Sequence, residues 1–571
     1  MAYDLIIRGG TVVDGSGLPG FQADIGITDG MIVKIGSING ESAKETIDAE
    51  GHVVSPGFVD GHTHFDAQIF WDPLGTNSCW HGVTSAVMGN CGFSLAPCSE
   101  KDKELVYDNL ERAEDLSPAA LNAGVPWSWE TFSEYLDTVD ALPKGINYSG
   151  YVGHSALRTH VMGERAFTDT ANQDDMAAMT RELENSMRAG AAGFSTSRSL
   201  SHRTPDGKPV ASRVGDWSEV CDLVGTMTKM GGGVFEIARE MVYDDAEHGK
   251  MERQQIKDLA LSTGVPMTFG AAWYRRASPD EWRPNFEMID ETCAAGGKIL
   301  LQGGSHWNGS LRSFETLMLF DNAPVWKDFR KLPLEEQEKG LRNPEMRAKL
   351  LEAARNFTVS NDPSLPNVLL RAIDWNWIFP MDRPLPPYRS VAEIAKERGT
   401  DAIETMIDLA LEKHLKMFFI NPGNNEDQDY VRALINHPRT AVTFSDSGAH
   451  VNSTLNPVQA HLLGHWVRAE QAMTLEAAVR KITFDIASFW GLKGRGLLRE
   501  GWCADVCIFD PDTISPSMPS LAYDLPAGAE RLIQKADGIK ATIVNGEVLI
   551  KDNEHTGNLP GRLIRGALAV N

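Results

Sequence analysis

The chain has 571 residues, 42% of them hydrophobic and 23% charged, with 52 glycines and 29 prolines; this is the composition of a folded, slightly loop-rich protein long enough for a substantial core in more than one unit. Its formal net charge of −24 argues against nucleic acid and anionic membrane as main partners. No run reaches the roughly 18 apolar residues of a transmembrane helix, the start Met1-Ala2-Tyr3-Asp4 lacks the basic residues of a secretory signal, and the seven cysteines are odd in number and scattered, so a reducing, cytoplasmic location is expected.

In chain order, 5–15, 23–27 and 31–36 read as short strands separated by Gly/Asp turns. The same texture returns at 504–510 and 539–550, so residues 1–56 and 490–571 are expected to build one small β-sandwich domain from both termini. The long middle, 57–489, alternates apolar strand candidates (58–62, 84–91, 147–153, 191–196, 232–237, 265–271, 298–303 and 440–445) with helical stretches such as 173–189 and 216–230. Eight strands alternating with helices predict an α/β fold, a (β/α)8 TIM-like barrel with its active site at the carboxyl ends of the strands. A doubly wound sheet is the alternative, but no Gly-X-Gly-X-X-Gly follows an early strand. The segment from about 304 to 435 does not fit one βα unit. Its charge, tryptophan and proline content mark it as an insertion capping the barrel mouth.

Candidate chemistry collects at the predicted strand ends. In Gly57-Phe58-Val59-Asp60-Gly61-His62-Thr63-His64, His62 and His64 stand two residues apart at the end of an apolar strand. Strand periodicity turns both imidazoles to one face, forming half of a metal site. Cys91 ends the second strand between Gly89 and Gly92, and a thiolate there is a further ligand, although a lone cysteine is ordinarily a small buried hydrophobe. Asp446, in Phe444-Ser445-Asp446-Ser447-Gly448, follows the last strand and can ligate a metal or take a proton; a helix N-cap is its structural alternative. Arg198, beside His202 and Arg203, and the Tyr274-Arg275-Arg276 run offer candidates for binding a substrate carboxylate. Trp71, Trp80, Trp273, Trp307, Trp375 and Trp377 fall near strand ends or in the insertion, consistent with a roomy aromatic pocket.

The segments 3–10, 56–64 and Val544-Asn545-Gly546 resemble the amidohydrolase superfamily. Within it, 89–92, 152–158, 193–196 and 556–562 resemble the N-acyl-D-amino-acid deacylases, or D-aminoacylases. The match spans both ends and most of the barrel and thins across 304–435. The resemblance implies a metal-dependent hydrolase, ordinarily of zinc, that forms a homo-oligomer. It also implies ligands from the His-X-His pair, the cysteine after the second strand, one histidine after each of the fifth and sixth strands, and an aspartate after the eighth. His62, His64, Cys91 and Asp446 carry over. The two later histidines do not, because neither 231–239 nor 265–271 contains one. The surviving set suffices for one zinc per chain, and Glu236 is either a substitute ligand or an ion-pair partner.

The expectation is therefore a mononuclear zinc amidohydrolase cleaving the non-peptide amide bond of a small, carboxylate-bearing N-acyl amino acid. Asp446, His154 and His450 would be catalytic, with His306 as a further oxyanion donor; Arg198, Tyr274, Arg275, His306 and Trp307 would bind substrate. A decarboxylase or C–C hydrolase on the same fold, and a metal-free scaffold, are the alternatives.

Overall fold

The computed structural model describes residues 3–241, 245–270, 274–358, 373–451, 454–455 and 457–569. Trp273, Ala271 at the end of the sixth predicted strand, and 359–372 of the insertion lie outside the described residues.

The eight predicted barrel strands form, in order, as β1 (Phe58–Asp60), β2 (Val83–Met88), β3 (Asn147–Gly153), β4 (Gly193–Ser197), β5 (Val234–Ala238), β6 (Pro266–Gly270), β7 (Lys298–Gly303) and β8 (Thr440–Val442). Each pairs in parallel with the next. A short parallel pairing of His62–Thr63 with Phe444–Ser447 joins the two ends of the series. Every residue of β2 and β3 is buried, as expected of parallel strands covered on both faces, and this includes the polar Thr84, Ser85, Asn147 and Ser149. Helices such as Gln173–Ala189 and Trp217–Met230 follow their strands and bury Met179, Leu183, Leu223 and Val224 in the main core.

Both termini enter one nine-stranded sheet. Val53–Pro56 lies between Tyr3–Val12 and Val506–Phe509, and Ile539–Val544 continues it beyond. Leu5, Ile7, Ile25, Ile27, Val506, Ile508 and Ile543 fill its own apolar cluster. The strand immediately before β1 is thus shared with the terminal sheet, which fixes the barrel's entry against it.

Between β7 and β8 the insertion forms a three-stranded antiparallel sheet, with Asn308–Arg312 and Phe379–Pro380 flanking Phe419–Asn424. A helical layer has its own core around Trp326, Leu350, Ile407 and Phe419. The last helix of this stretch, Gln428–Asn436, buries Tyr430, Val431, Leu434 and Ile435 in the main barrel core instead. The inserted material that stands off the barrel therefore ends before residue 428.

Candidate metal centre

Local sequence explains how each side chain reaches the barrel mouth. Beyond β1 the chain stays extended, so Thr63 turns outward and donates its hydroxyl to the Val87 carbonyl at 2.9 Å, while His62 and His64 share the opposite face. Their rings lie 5.4 Å apart, and the Phe444 ring sits 4.2 Å from that of His62. β2 stops at Met88, short of Cys91, because Gly89 takes a positive φ of 79°. A Cβ there would meet the Tyr151 carbonyl oxygen at 2.6 Å. Cys91 itself has φ 58°, and Asp446 has φ 58°. Two site residues thus hold backbone conformations that cost side-chain-bearing residues energy and that surrounding packing must enforce. Gly448 (φ 98°) lets the loop after Asp446 pass directly over the His64 carbonyl, where any Cβ would collide.

The His62 Nδ1 donates to Gln302 Oε1 on β7 at 2.6 Å. That bond fixes the tautomer and leaves Nε2 facing Cys91 Sγ at 3.5 Å and Asp446 Oδ1 at 3.4 Å. His64 Nε2 lies 3.2 Å from the same Asp446 oxygen and 3.5 Å from Glu114 Oε2, yet neither of its ring nitrogens makes a well-directed hydrogen bond. Glu236 on β5 accepts the Cys91 N–H at 2.7 Å through Oε2 and leaves Oε1 without a partner.

Burial dominates the electrostatics. It pushes the Cys91 thiol well above its usual range, reinforced by Glu236, and raises Glu236 to about 7. Burial alone would lower His64, but Glu114 and Asp446 outweigh it and raise the imidazole to about 9. Burial would likewise raise Asp446, yet its close contacts with the His62 and His64 imidazoles hold it well below the carboxylate range. Two compact ligand triplets result, His62–His64–Cys91 and His64–Glu114–Asp446, sharing His64. Imidazole, sulfur and carboxylate groups gathered this closely are the kind of donor set that zinc takes once they are deprotonated.

A cavity of about 550 Å³ opens onto this cluster. His202, Arg239, Arg275 and His450 line it, together with Asn308, Gly309, Gly423 and Asn424 from the insertion's sheet. His450 Nδ1 is 2.6 Å from Asp115 Oδ2, and the backbone N–H of His450 donates to the Glu114 carbonyl at 2.7 Å.

Not every expected residue arrives. His154 is fully buried, with Nδ1 at 2.8 Å from Thr196 Oγ1 and Nε2 at 2.7 Å from Glu219 Oε1; both nitrogens are occupied, so the expected catalytic role is corrected to a structural one. Arg198 donates to the backbone carbonyls of Gly215 and Arg213 instead of lining the cavity. The Tyr274 ring packs 5.7 Å from that of Tyr430, also outside the lining. His306 and Trp307 line a different cavity. Of the expected substrate binders, Arg275 alone lines the metal cavity. Glu114 and Arg239 were not anticipated. Arg239 is buried against Glu252 (2.7 Å) and Asn285 (2.7 Å), and nothing in an acidic stretch such as Glu111–Asp115 distinguishes a buried carboxylate from solvated ones.

Residues 45–220 and 372–550, more than half of the chain, match the amidohydrolase family. The chain belongs to the amidohydrolase family. As a member it is a hydrolase of carbon–nitrogen bonds other than peptide bonds. It is 28% identical to the D-aminoacylase of Alcaligenes xylosoxydans xylosoxydans, over 98% of this chain and 97% of that protein. It is 27% identical to the same organism's N-acyl-D-aspartate deacylase, covering 99% and 96%. Among solved structures, the N-acyl-D-glutamate deacylase of Bordetella bronchiseptica, complexed with zinc and a phosphonate inhibitor, superposes with a TM-score of 0.66 at 23% identity, covering 99% of this chain and all of that one. The superposition establishes that this amidohydrolase shares the barrel fold.

Proposed function

We propose that this amidohydrolase is a metal-dependent deacylase that hydrolyses the amide bond of a small N-acyl amino acid, with one zinc per chain held by His62, His64, Cys91 and Asp446. The observation that carries the reading is the convergence of buried His62, His64 and Cys91 with half-buried Asp446, with contacts of 3.2–3.5 Å from His62 Nε2 to Cys91 and Asp446 and from His64 Nε2 to Asp446, beneath a cavity large enough for such a substrate. The D-amino acid preference named in the relatives supports the D series as the first substrates to test. The survival of these four ligands together also weighs against a metal-free scaffold.

When bound, zinc supplies Lewis-acid polarisation of the amide carbonyl and a bound water of near-neutral pKa. The chain's own residues supply the rest. Gln302 keeps the His62 ring in the orientation that presents Nε2 to the cluster. Asp446, held ionised by both histidines, is the base that takes a proton from the attacking water and returns it to the leaving nitrogen. His450, oriented through Nδ1 by Asp115, directs Nε2–H toward the carbonyl oxygen as charge develops there. Arg275, on the cavity wall, is the candidate for the substrate carboxylate.

The test is metal content per chain for wild type, His62→Ala and Cys91→Ala, with hydrolysis of N-acetyl-D- and L-amino acids measured on the same preparations. About one zinc per wild-type chain, lost in both variants together with amide hydrolysis, is the expected outcome. Metal-bound protein inert toward the whole amide panel would refute the activity, and unchanged metal in both variants would refute the ligand assignment.

A further inference from the structure

A second cavity, of about 440 Å³, borders the insertion's sheet. The two cavities draw on different residues of this sheet region: Trp307 and Pro422 border this one, whereas Asn308, Gly309, Gly423 and Asn424 border the metal cavity. No residue lines both.

Its walls are aromatic: Trp307, Trp377, Phe379, Tyr388 and Trp466. Two of these have their polar atoms committed elsewhere, since Trp466 Nε1 donates to the Ser305 carbonyl at 2.5 Å and the Tyr388 hydroxyl to the Pro384 carbonyl at 2.9 Å. The remaining polar lining comprises three histidines, Gln428 and the carboxylates of Glu426 and Glu470. His306 is buried and neither ring nitrogen has a hydrogen-bond partner; His461 and His465, one turn apart on the helical stretch after β8, each have an unpartnered Nδ1. Desolvation lowers all three imidazoles, His306 to about 4, so at neutral pH they carry lone pairs and no charge. Glu426 is 9% exposed. Its Oε1 lies 3.5 Å from Arg276 Nε, while its Oε2 has no partner. Glu470 adds a second carboxylate at the rim, paired with Arg432 at 3.1 Å.

Aromatic faces, neutral imidazole lone pairs and the unpartnered Oε2 of the buried Glu426 all attract positive charge. The chain itself shows the preference: the Arg276 guanidinium lies 4.5 Å over the Trp377 ring while it contacts Glu426. Glu426 and Glu470 are each paired with an arginine, and the carboxylate oxygen left without a partner, Glu426 Oε2, repels an anion. An inorganic cation lacks a chelate, because among the described residues both compact ligand triplets lie in the metal cavity. We propose that this aromatic cavity is a second ligand site, separate from the metal centre, that binds an organic ammonium ion with an apolar body.

The experiment titrates the full-length wild-type protein with 2-phenylethylammonium, neutral 2-phenylethanol and anionic 3-phenylpropionate, following tryptophan fluorescence and heat. The ammonium should saturate, with the alcohol and the carboxylate at least about tenfold weaker. Glu426→Gln and Trp307→Ala should each weaken the amine by a similar factor, and Cys91→Ala should bind it as wild type does. Equal binding of the alcohol or the carboxylate would overturn the proposal. So would unchanged affinity in Glu426→Gln, displacement by zinc, or loss of binding in Cys91→Ala. The three-ligand comparison on wild type decides the matter even where a variant fails to fold.

Discussion

Glu219 offers a stability experiment that separates structural from catalytic histidine chemistry. It sits on the helix Trp217–Met230 at 5% exposure, receives Arg158 Nη1 at 2.6 and 2.5 Å on its two oxygens, and contacts His154 Nε2 at 2.7 Å. Burial would raise this carboxyl, but His154 and Arg158 prevail and depress it to about 2 from an ordinary 4.5. A depressed folded pKa makes stability fully present above the unfolded value and loses it as pH falls from 4.5 toward 2. The displacement corresponds to roughly 3 kcal/mol at neutral pH. A similar size, about 3–5 kcal/mol, is typical when one partner of a buried ion pair is removed, here leaving the fully buried Arg158 uncompensated. Glu219→Gln keeps the shape and removes the charge. In urea titrations, the wild-type and Glu219→Gln proteins should therefore differ by roughly 3 kcal/mol at pH 7. The difference should shrink below pH 4.5 and vanish near 2, where the wild-type carboxyl is itself protonated. Amide hydrolysis at pH 7 should survive in the folded variant, because His154 is not among the residues around the metal cavity. A gap that does not change with pH, or one below about 1 kcal/mol at pH 7, would refute the reasoning.

Three other outcomes follow from the metal centre. Gln302→Leu removes the hydrogen bond that orients His62 and should weaken zinc affinity by about 10–100-fold while the protein stays folded, read by chelator competition. Gly448→Ala places a Cβ against the His64 carbonyl at φ 98° and should cost about 1–3 kcal/mol of stability together with metal affinity, read by thermal unfolding and metal content. Zinc added to metal-depleted protein should raise the unfolding midpoint with the logarithm of its free concentration, and a chelator should reverse this; at 100 times Kd the gain is about 2.7 kcal/mol. His62→Ala should abolish that dependence.

What the sequence determined by itself is what short-range periodicity encodes. Short strand candidates alternating with helical stretches placed β1 to β8, although β3 to β6 carry buried polar residues such as Asn147, Ser195, Glu236 and Thr268. A His-X-His pair at the end of such a strand must project to one side, and alternating segments at 5–36 and 504–550 marked the two halves of the terminal sheet. The tertiary structure decided everything that depends on side chains meeting across long separations. Glu114 joins His64 because the chain after the helix Lys103–Glu111 folds back over the mouth, while locally it reads as one more solvated acid. His154 follows a barrel strand as a catalytic histidine would, and only the approach of Glu219, 65 positions later, takes its second nitrogen. His306 and Trp307 immediately precede Asn308 and Gly309, yet the two pairs line different cavities. Periodicity sets which face a residue presents; which ligand, ion or carboxylate waits on that face is set by long-range packing, and for that a single sequence carries no local signal.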